Sequence, residues 1–284
     1  MHTLIEYWNG QSWRVQASPN PVVGNNILTG VSAASSADVW AVGYTESLSG
    51  SQQALIEHWN GRSWSVQANP HLSNWTKLNA VAATSASNAW AVGTNSNPTV
   101  PSSVALIEHW NGHSWQVQSR PHPGDFLNEL LAVDAMPGGG TWAVGDYNTK
   151  SIGEADHFPL IEHWNGRAWQ EQPSPQQPAG NEYVPSAVSI LSSHSVWMAG
   201  SRADFNAQRT LIENWNGLEW KVQSAPNPAL GDLDADLLYG VAATSASNVW
   251  AVGSYQVKED GGSKTLIEHW NGRTWTRQSS PNPG

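Results

Sequence analysis

Short apolar runs and polar turns alternate along the whole chain at a regular spacing. The run Leu4-Ile5-Glu6-Tyr7-Trp8 precedes Asn9-Gly10, and the same pattern begins again at Leu55, Leu106, Leu160, Leu211 and Leu266. A second run, Val39-Trp40-Ala41-Val42-Gly43, returns around Trp90, Trp142, Trp197 and Trp250. Internal repetition of this kind is typical of solenoids and propellers.

Each repeat predicts four short β-strands, as residues 78–118 illustrate. Residues 78–83 and 89–93 form the first two apolar runs, and residues 105–110 and 114–118 form the third and fourth. Asn111-Gly112 between the last two is a strong hairpin signal, because a tight hairpin turn requires positive φ angles. No stretch shows a sustained 3.6-residue period, so the sequence predicts essentially no helix.

Four strands per repeat, repeated five times, predict an all-β chain folded as a single β-propeller domain over residues 1–284. The expected blades span residues 28–71, 78–121, 129–174, 184–226 and 237–281, and residues 3–17 form one extra β-hairpin. That hairpin closes or decorates a five-bladed ring, our preferred arrangement. The alternatives are an incomplete six-bladed ring and a section of a longer array.

The repeated Leu-Ile-Glu-His-Trp-Asn-Gly and Val-Trp-Ala-Val-Gly units resemble the Trp-rich propeller repeats of bacterial proteins, which are loosely kelch-like. Blade number and length are also similar to those of the five-bladed tachylectin-type lectins. The chain lacks the paired glycines of kelch repeats, the Gly-His and Trp-Asp signatures of WD40 repeats and the Asp-box of sialidases. The resemblance therefore implies a fold and a lectin-like analogy, and it transfers no catalytic residue.

Composition narrows the classes of partner. The 284 residues carry a formal net charge of −10 and contain no cysteine, which excludes disulfides and zinc–thiolate sites. An acidic balance with scattered Lys and Arg disfavours nucleic acid, and no apolar run is long enough for membrane insertion. We expect no metal and no cofactor.

Seventeen of the eighteen tryptophans occupy the two repeated motifs, and Trp75 lies outside them. It falls in one of the long, variable segments that a propeller gathers on one face, where binding sites are commonly found. An exposed indole there would stack on a sugar or planar ligand, whereas the alternative is an indole tucked over a blade edge. The candidate ligand-binding residues of this face are Trp75, Asn74, His71, Phe126, Tyr183 and Tyr255.

The acidic residues offer few candidates for catalysis. The repeated Glu-His pair, as in Glu108-His109, places its two side chains on opposite faces of a strand, so we expect Glu to bond a neighbouring backbone or indole N–H. Asp232, Asp234 and Asp236 predict a solvated acidic loop, and Asp134 is a lone carboxylate near the expected channel. No catalytic motif is present.

These observations favour a non-enzymatic binding module for carbohydrate or protein that uses the loop-rich face. One alternative is an enzyme with its site at the mouth of the central channel, and another is a ligand-free repeat scaffold. We expect an extracellular or cell-surface bacterial location, with the cytoplasm as the alternative. The oligomeric state is left open.

Overall fold

A computed structural model describes residues 1–70, 72, 75–97, 102–121, 123–124, 126–149, 157–175, 182–204, 207–229, 235–256 and 262–282. All regular structure in these residues is β. The strands are β1 (Ile5–Trp8), β2 (Trp13–Gln16), β3 (Gly24–Ser35), β4 (Asp38–Ser47), β5 (Gln52–Trp59), β6 (Trp64–Val66), β7 (Thr76–Ser85), β8 (Asn88–Asn97), β9 (Ser102–Trp110), β10 (Trp115–Val117), β11 (Leu127–Met136), β12 (Gly139–Asn148), β13 (His157–Trp164), β14 (Trp169–Glu171), β15 (Glu182–Ser192), β16 (Ser195–Asp204), β17 (Ala207–Trp215), β18 (Trp220–Val222), β19 (Ala235–Ser245), β20 (Asn248–Gln256), β21 (Ser263–Trp270) and β22 (Trp275–Arg277).

After the hairpin β1–β2, consecutive strands pair antiparallel in groups of four, which we call blades 1 to 5 in chain order. The described residues group into two compact units, Met1–Arg120 and Pro121–Gly284. The first unit contains the hairpin and blades 1 and 2, and the second contains blades 3, 4 and 5. A single parallel pair, Gln208 with Ala235, links the sheets of blades 4 and 5.

The hairpin between the third and fourth strands of each blade begins at Asn-Gly, as its sequence predicts. Trp110 pairs with Trp115, so the loop contains four residues and is longer than a two-residue turn. Asn111 Oδ1 accepts the backbone N–H groups of His113 and Ser114 at 2.9 and 3.0 Å. Gly112 has φ of +93°, a left-handed conformation that glycine adopts without a steric penalty.

Consecutive blades within each unit pack through a cluster of three tryptophans. The indole of Trp40 in blade 1 lies 5.0 Å from Trp110 and 5.1 Å from Trp115 of blade 2, the latter edge-to-face. The same contacts join Trp142 of blade 3 to Trp215 and Trp220 of blade 4, at 5.3 and 5.2 Å, and Trp197 of blade 4 to Trp270 and Trp275 of blade 5, both at 5.6 Å. Most of the Trp repeat is therefore packing between blades.

Aliphatic side chains surround each tryptophan cluster and complete the core. Val42 and Ile56 of blade 1 pack with Leu78 and Leu106 of blade 2, and all four are buried. Equivalent clusters lie between blades 3 and 4 and between blades 4 and 5. A strand whose two faces both meet neighbouring blades carries apolar residues on both, which explains the low charge content of the chain.

The prediction of an all-β chain built from repeated four-stranded sheets is confirmed. The first strands are longer than expected; blade 1, for example, begins at Gly24 rather than at residue 28. Closure into a ring, its blade number and the assignment of one domain stay predictions. Among the described residues, no helix is long and apolar enough to cross a membrane.

Burial of the second-strand tryptophan predicts a large loss of stability when it is truncated. Trp197 is buried in its cluster, so W197A should lower the free energy of unfolding by about 3–5 kcal/mol. The matched control is W250A, because Trp250 has the same place in blade 5 but is exposed. Urea unfolding followed by circular dichroism measures both. Equal losses in the two variants would contradict the packing role.

Candidate functional site

The two side chains of the repeated Glu-His pair lie on opposite faces of their strand. His58 of β5 pairs in register with Trp40 of β4, and its ring lies 4.2 Å from the Trp40 ring on the face directed at blade 2. His109 and His269 stack on Trp90 and Trp250 in the same way, at 4.1 and 4.3 Å. The adjacent Glu lies on the opposite face of the strand. Among the described residues, no group of three or more His, Cys, Asp or Glu side chains could hold a metal.

The glutamates of this pair are fully buried. Among the described residues, the carboxylate oxygens of Glu57, Glu108 and Glu268 have no hydrogen-bond partner. Burial raises the pKa of Glu57 to about 7 and that of Glu108 to about 8. Burial, assisted by repulsion from Asp236, also raises the pKa of Glu268 to about 8. Glu108 and Glu268 therefore carry a proton at neutral pH.

The expectation that each Glu bonds a neighbouring backbone or indole N–H is wrong for these three residues. Burial favours the neutral form of these carboxyl groups, and protonation removes the cost of burying their charge. Glu213 differs because the hydroxyl of Ser174, in the segment between blades 3 and 4, donates to its Oε1 at 3.2 Å. The sequence signal for that difference is a single serine outside the repeat.

The Asp134 carboxylate accepts two backbone N–H groups and has a structural role. Its Oδ2 accepts the N–H of Ile190 in blade 4 at 2.7 Å, and its Oδ1 accepts its neighbour Ala135 N–H at 2.8 Å. Burial raises the pKa of Asp134, and these two N–H groups oppose that rise. The hydroxyl of Ser189 accepts the N–H of Ala243 in blade 5 in the same way, at 3.0 Å. Asp134 is thus a link between blades.

Asp236 is also structural, which corrects the expectation of a solvated acidic loop for this residue. Its side chain is fully buried in β19, where Oδ2 lies 3.5 Å from Arg209 Nη1 and Oδ1 accepts the N–H of Ala229 at 3.2 Å. The parallel pairing of β17 with β19 brings Arg209 and Asp236 together. Asp232 and Asp234 lie outside the described residues.

The aromatic candidates of the loop-rich face are dispersed. Trp75 is half-buried at the entry to blade 2. It forms an isolated parallel β-bridge with Gln52, and its carbonyl accepts the N–H of Ser96 at 2.8 Å. Phe126 is half-buried and donates its N–H to the Asn148 carbonyl at 3.3 Å. Tyr183 and Tyr255 are buried, and the Tyr255 hydroxyl accepts a bond from Arg277 at 2.7 Å. His71 and Asn74 lie outside the described residues.

A groove that the sequence does not reveal lies between blades 4 and 5. It has a volume of about 460 Å³ and is lined by residues 223–226 of the connecting segment and by Trp270, Arg273, Thr274 and Trp275 of the last hairpin. Arg273 and Ser224 are exposed, Trp270 is half-buried and Trp275 forms the buried wall. Its two walls lie about 50 residues apart in the chain, so only the packing of the blades brings them together.

The tryptophan and glutamine of this groove do not bond each other, unlike their equivalents between hairpin β1–β2 and blade 1. In that pair, Trp64 Nε1 of blade 1 donates to Gln16 Oε1 of the hairpin at 3.2 Å. At the interface of blades 4 and 5, the equivalent Trp275 Nε1 is buried without a hydrogen-bond partner among the described residues, and Gln223 Nε2 donates to the Lys221 carbonyl at 3.3 Å instead. The groove therefore combines indole surface, an amide, two hydroxyls and a guanidinium.

The buried glutamates predict that the chain loses stability as the pH rises. The native pKa of Glu108 lies above its ordinary value of 4.5, so its contribution to stability is complete below pH 4.5 and is lost as the pH rises through about 8. Compared with the wild-type chain, E108Q should be equally stable at pH 5 and more stable by about 1–3 kcal/mol at pH 9. The exposed Glu6 provides the control, because E6Q should change neither value. The same difference in the free energy of unfolding between wild type and E108Q at pH 5 and pH 9, measured by urea unfolding, would contradict this assignment.

The structural role of Asp134 predicts which substitution is tolerated. D134A leaves the partly buried N–H of Ile190 without this acceptor and should cost about 1–3 kcal/mol. D134S should retain most of the stability, because Ser189 performs the same task in blade 4. Thermal unfolding by circular dichroism distinguishes the variants, and a D134S chain as unstable as D134A would refute the assignment.

Comparison with known proteins identifies the fold and leaves the family open. No family model and no curated protein matches the chain in sequence. Among solved structures, it is similar to YCF48 bound to D1 peptide (12% identity, 90% of this chain and 83% of that chain, TM-score 0.50). It is also similar to an ulvan lyase, a polysaccharide lyase, bound to -[GlcA(1-4)Rha3S]- (11%, 86% and 67%, 0.57). A third is an alpha-L-arabinanase from Penicillium chrysogenum complexed with arabinobiose (8%, 88% and 80%, 0.51). These proteins are of the β-propeller type, and so is this chain.

Proposed function

We propose that the chain is a non-enzymatic carbohydrate-binding module that holds a sugar in the groove between blades 4 and 5. In this proposal the chain is a five-bladed propeller, and the hairpin β1–β2 continues the series as a partial further blade. The observation that carries the proposal is the chemistry of the groove lining. A volume of about 460 Å³ lies within the range of small-molecule sites.

The groove presents the two kinds of surface that a sugar ring requires. The half-buried Trp270 offers aromatic carbon to the apolar C–H face of a pyranose, and the buried Trp275 forms the groove wall. Gln223, Ser224, Arg273 and Thr274 supply donors and acceptors for its hydroxyl groups. The guanidinium also favours a carboxylate or sulfate substituent, because charge-assisted bonds to planar anions are the stronger ones.

The acidic residues support binding rather than catalysis. Glycoside hydrolysis generally uses a pair of carboxylates that reach the substrate, yet Glu108 and Glu268 are fully buried and Asp134 is occupied by two backbone N–H groups. Two of the similar structures hold saccharides, which supports a carbohydrate ligand by fold analogy. The peptide complex of YCF48 supports a protein ligand as the alternative to carbohydrate.

Two exposed groove residues test the proposal without disturbing the core. S224W fills the groove and should abolish binding, and R273A removes charge-assisted hydrogen bonds and should weaken it about tenfold or more. A glycan array identifies the saccharide, and isothermal titration calorimetry measures the affinity of each variant. K221A is the matched surface control, because Lys221 is exposed, pairs with Glu219 and lies outside the groove lining.

The loop-rich face makes a different prediction for the same experiment. If Trp75 holds the ligand, W75A abolishes binding while S224W and R273A retain it. That result would replace the groove by the loop-rich face as the site. No saturable binding to any saccharide on the array would overturn carbohydrate binding altogether.

A further inference from the structure

The groove between blades 4 and 5 has a counterpart between hairpin β1–β2 and blade 1. One wall of the counterpart is the segment that follows β2, and the other is the Asn-Gly loop that joins β5 to β6. Of the eight residues that line the groove, five have an identical residue at the corresponding position, namely Gln16, Pro19, Trp59, Arg62 and Trp64. Ser63 replaces Thr274 and keeps its hydroxyl group.

The connecting segment that forms the first wall is held by the same bond at both places. Asn20 Oδ1 accepts the N–H of Thr3 at 2.9 Å, and Asn227 Oδ1 accepts the N–H of Thr210 at 2.8 Å. Each bond ties the segment that follows a hairpin back to the first arm of that hairpin. The two segments therefore follow the same course along their hairpins.

The loop that forms the second wall is also held in the same way. Asn60 Oδ1 accepts the N–H groups of Arg62 and Ser63 at 3.0 and 3.1 Å, as Asn271 Oδ1 accepts that of Arg273 at 2.9 Å. Both arginines are exposed, and neither guanidinium forms an ion pair among the described residues. Both guanidinium groups are therefore available to a ligand.

The two walls of the counterpart meet at a direct contact. Trp64 Nε1 donates to Gln16 Oε1 at 3.2 Å, which sets the last hairpin of blade 1 against the segment after β2. Trp59 is half-buried and Trp64 is buried, as are Trp270 and Trp275 in the groove. The ring centroids of Trp59 and Trp64 are 5.9 Å apart, and those of the groove pair are 6.0 Å apart. The same aromatic wall therefore lies beside an arginine at two places.

The interface between blades 3 and 4 shows that the fold of the loop does not need this arginine. Leu218 occupies the position of Arg62, and Glu219 occupies the position of the hydroxyl residue. Asn216 Oδ1 nevertheless accepts the N–H groups of both residues, at 2.9 and 3.0 Å. The side chain at this position is thus independent of the loop geometry, and the Glu219 carboxylate disfavours an anion there.

We propose that hairpin β1–β2 and blade 1 form a second saccharide site, and that both sites take an acidic sugar whose carboxylate binds Arg62 or Arg273. The second site rests on the proposed function, because it has the chemistry that we propose for the groove. A planar guanidinium holds a carboxylate through two parallel charge-assisted bonds, whereas a neutral hydroxyl accepts a weaker one.

The second site binds the sugar more weakly than the groove does. Gln16 Oε1 is already engaged by Trp64, and Ala17 replaces the exposed hydroxyl of Ser224. Fewer polar groups are therefore left for the hydroxyls of the sugar.

The indole N–H signals of Trp59 and Trp270 in proton–nitrogen correlation spectra report on the two sites separately. The probe is cellobiouronic acid, which is cellobiose with one ring oxidised to glucuronate, and cellobiose is the matched neutral probe. Titration of the 284-residue chain with cellobiouronic acid should shift both signals saturably, with the weaker affinity at Trp59. Cellobiose should bind about tenfold more weakly at both. W59F and W270F assign the two signals.

Exchange of each arginine separates the two sites. R62A should weaken binding at the Trp59 signal about tenfold or more and leave binding at the Trp270 signal unchanged, and R273A should do the reverse. L218A is the matched control, because Leu218 has the same loop position in blade 4, and it should change neither affinity. Unchanged signals of the other indoles show that each variant keeps its fold.

The outcomes distinguish the second site from the proposed function. Saturation at Trp270 without saturation at Trp59 overturns the second site and leaves the groove intact. Saturation at Trp59 alone supports the second site and refutes the groove as the site of the proposed function. Binding at Trp59 that survives in R62A, or that is as tight for cellobiose, overturns the role of the arginine. Absence of a shift at both signals overturns the acidic ligand, and the glycan array then tests carbohydrate binding independently.

Discussion

The packing of one indole against two others between consecutive blades is the constraint on which the rest of the structure depends. It sets the second-strand tryptophan of one blade against the tryptophan pair of the next hairpin, with centroid distances of 5.0–5.6 Å at three interfaces. Edge-to-face aromatic pairs are directional, so they fix the position of one blade on the next as well as stabilising it. The groove at the rim of blades 4 and 5 is a product of that fixed position, because Trp275 belongs at once to the cluster and to the groove wall.

The same constraint divides the polar groups between structure and binding. The repeated Glu is buried in all five blades, and the repeated His lies against the second-strand tryptophan of its own blade in blades 1, 2, 3 and 5. Asp134, Ser189 and Asp236 also link or line the blades. At the exposed rim of blades 4 and 5, Arg273 and Ser224 lie beside the half-buried indole of Trp270. This mixed aromatic and polar surface is the basis of the binding function that we propose.

The repeat pattern predicts the fold well because each strand and turn is encoded locally. Asn111-Gly112 marks a hairpin through its own backbone preferences, and Trp40 and Trp110 mark interface positions through their period. Properties that depend on a neighbouring blade are not encoded locally. Leu4 and Leu266 share one motif, yet Leu4 is exposed whereas Leu266 is buried against blade 4. Glu108 and Glu213 share another, yet Ser174 outside the repeat gives Glu213 its bond. The groove cannot be predicted from the sequence for the same reason, since residues 223–226 and 270–275 form it only when blades 4 and 5 pack together. Trp75, which lies outside the repeated motifs, is half-buried against its own unit.

The position of one blade on the next depends on direct energetic coupling between the second-strand tryptophan of the first blade and the tryptophan pair that it contacts in the following one. A double-mutant cycle on Trp40 and Trp115, with each replaced singly and together by leucine, measures that coupling from the free energies of unfolding. Their edge-to-face contact at 5.1 Å predicts a coupling of about 0.5–1.5 kcal/mol, with the double variant less destabilised than the sum of the single ones. A coupling indistinguishable from zero would mean that the two rings are buried independently, and it would contradict the claim that this contact positions one blade on the next.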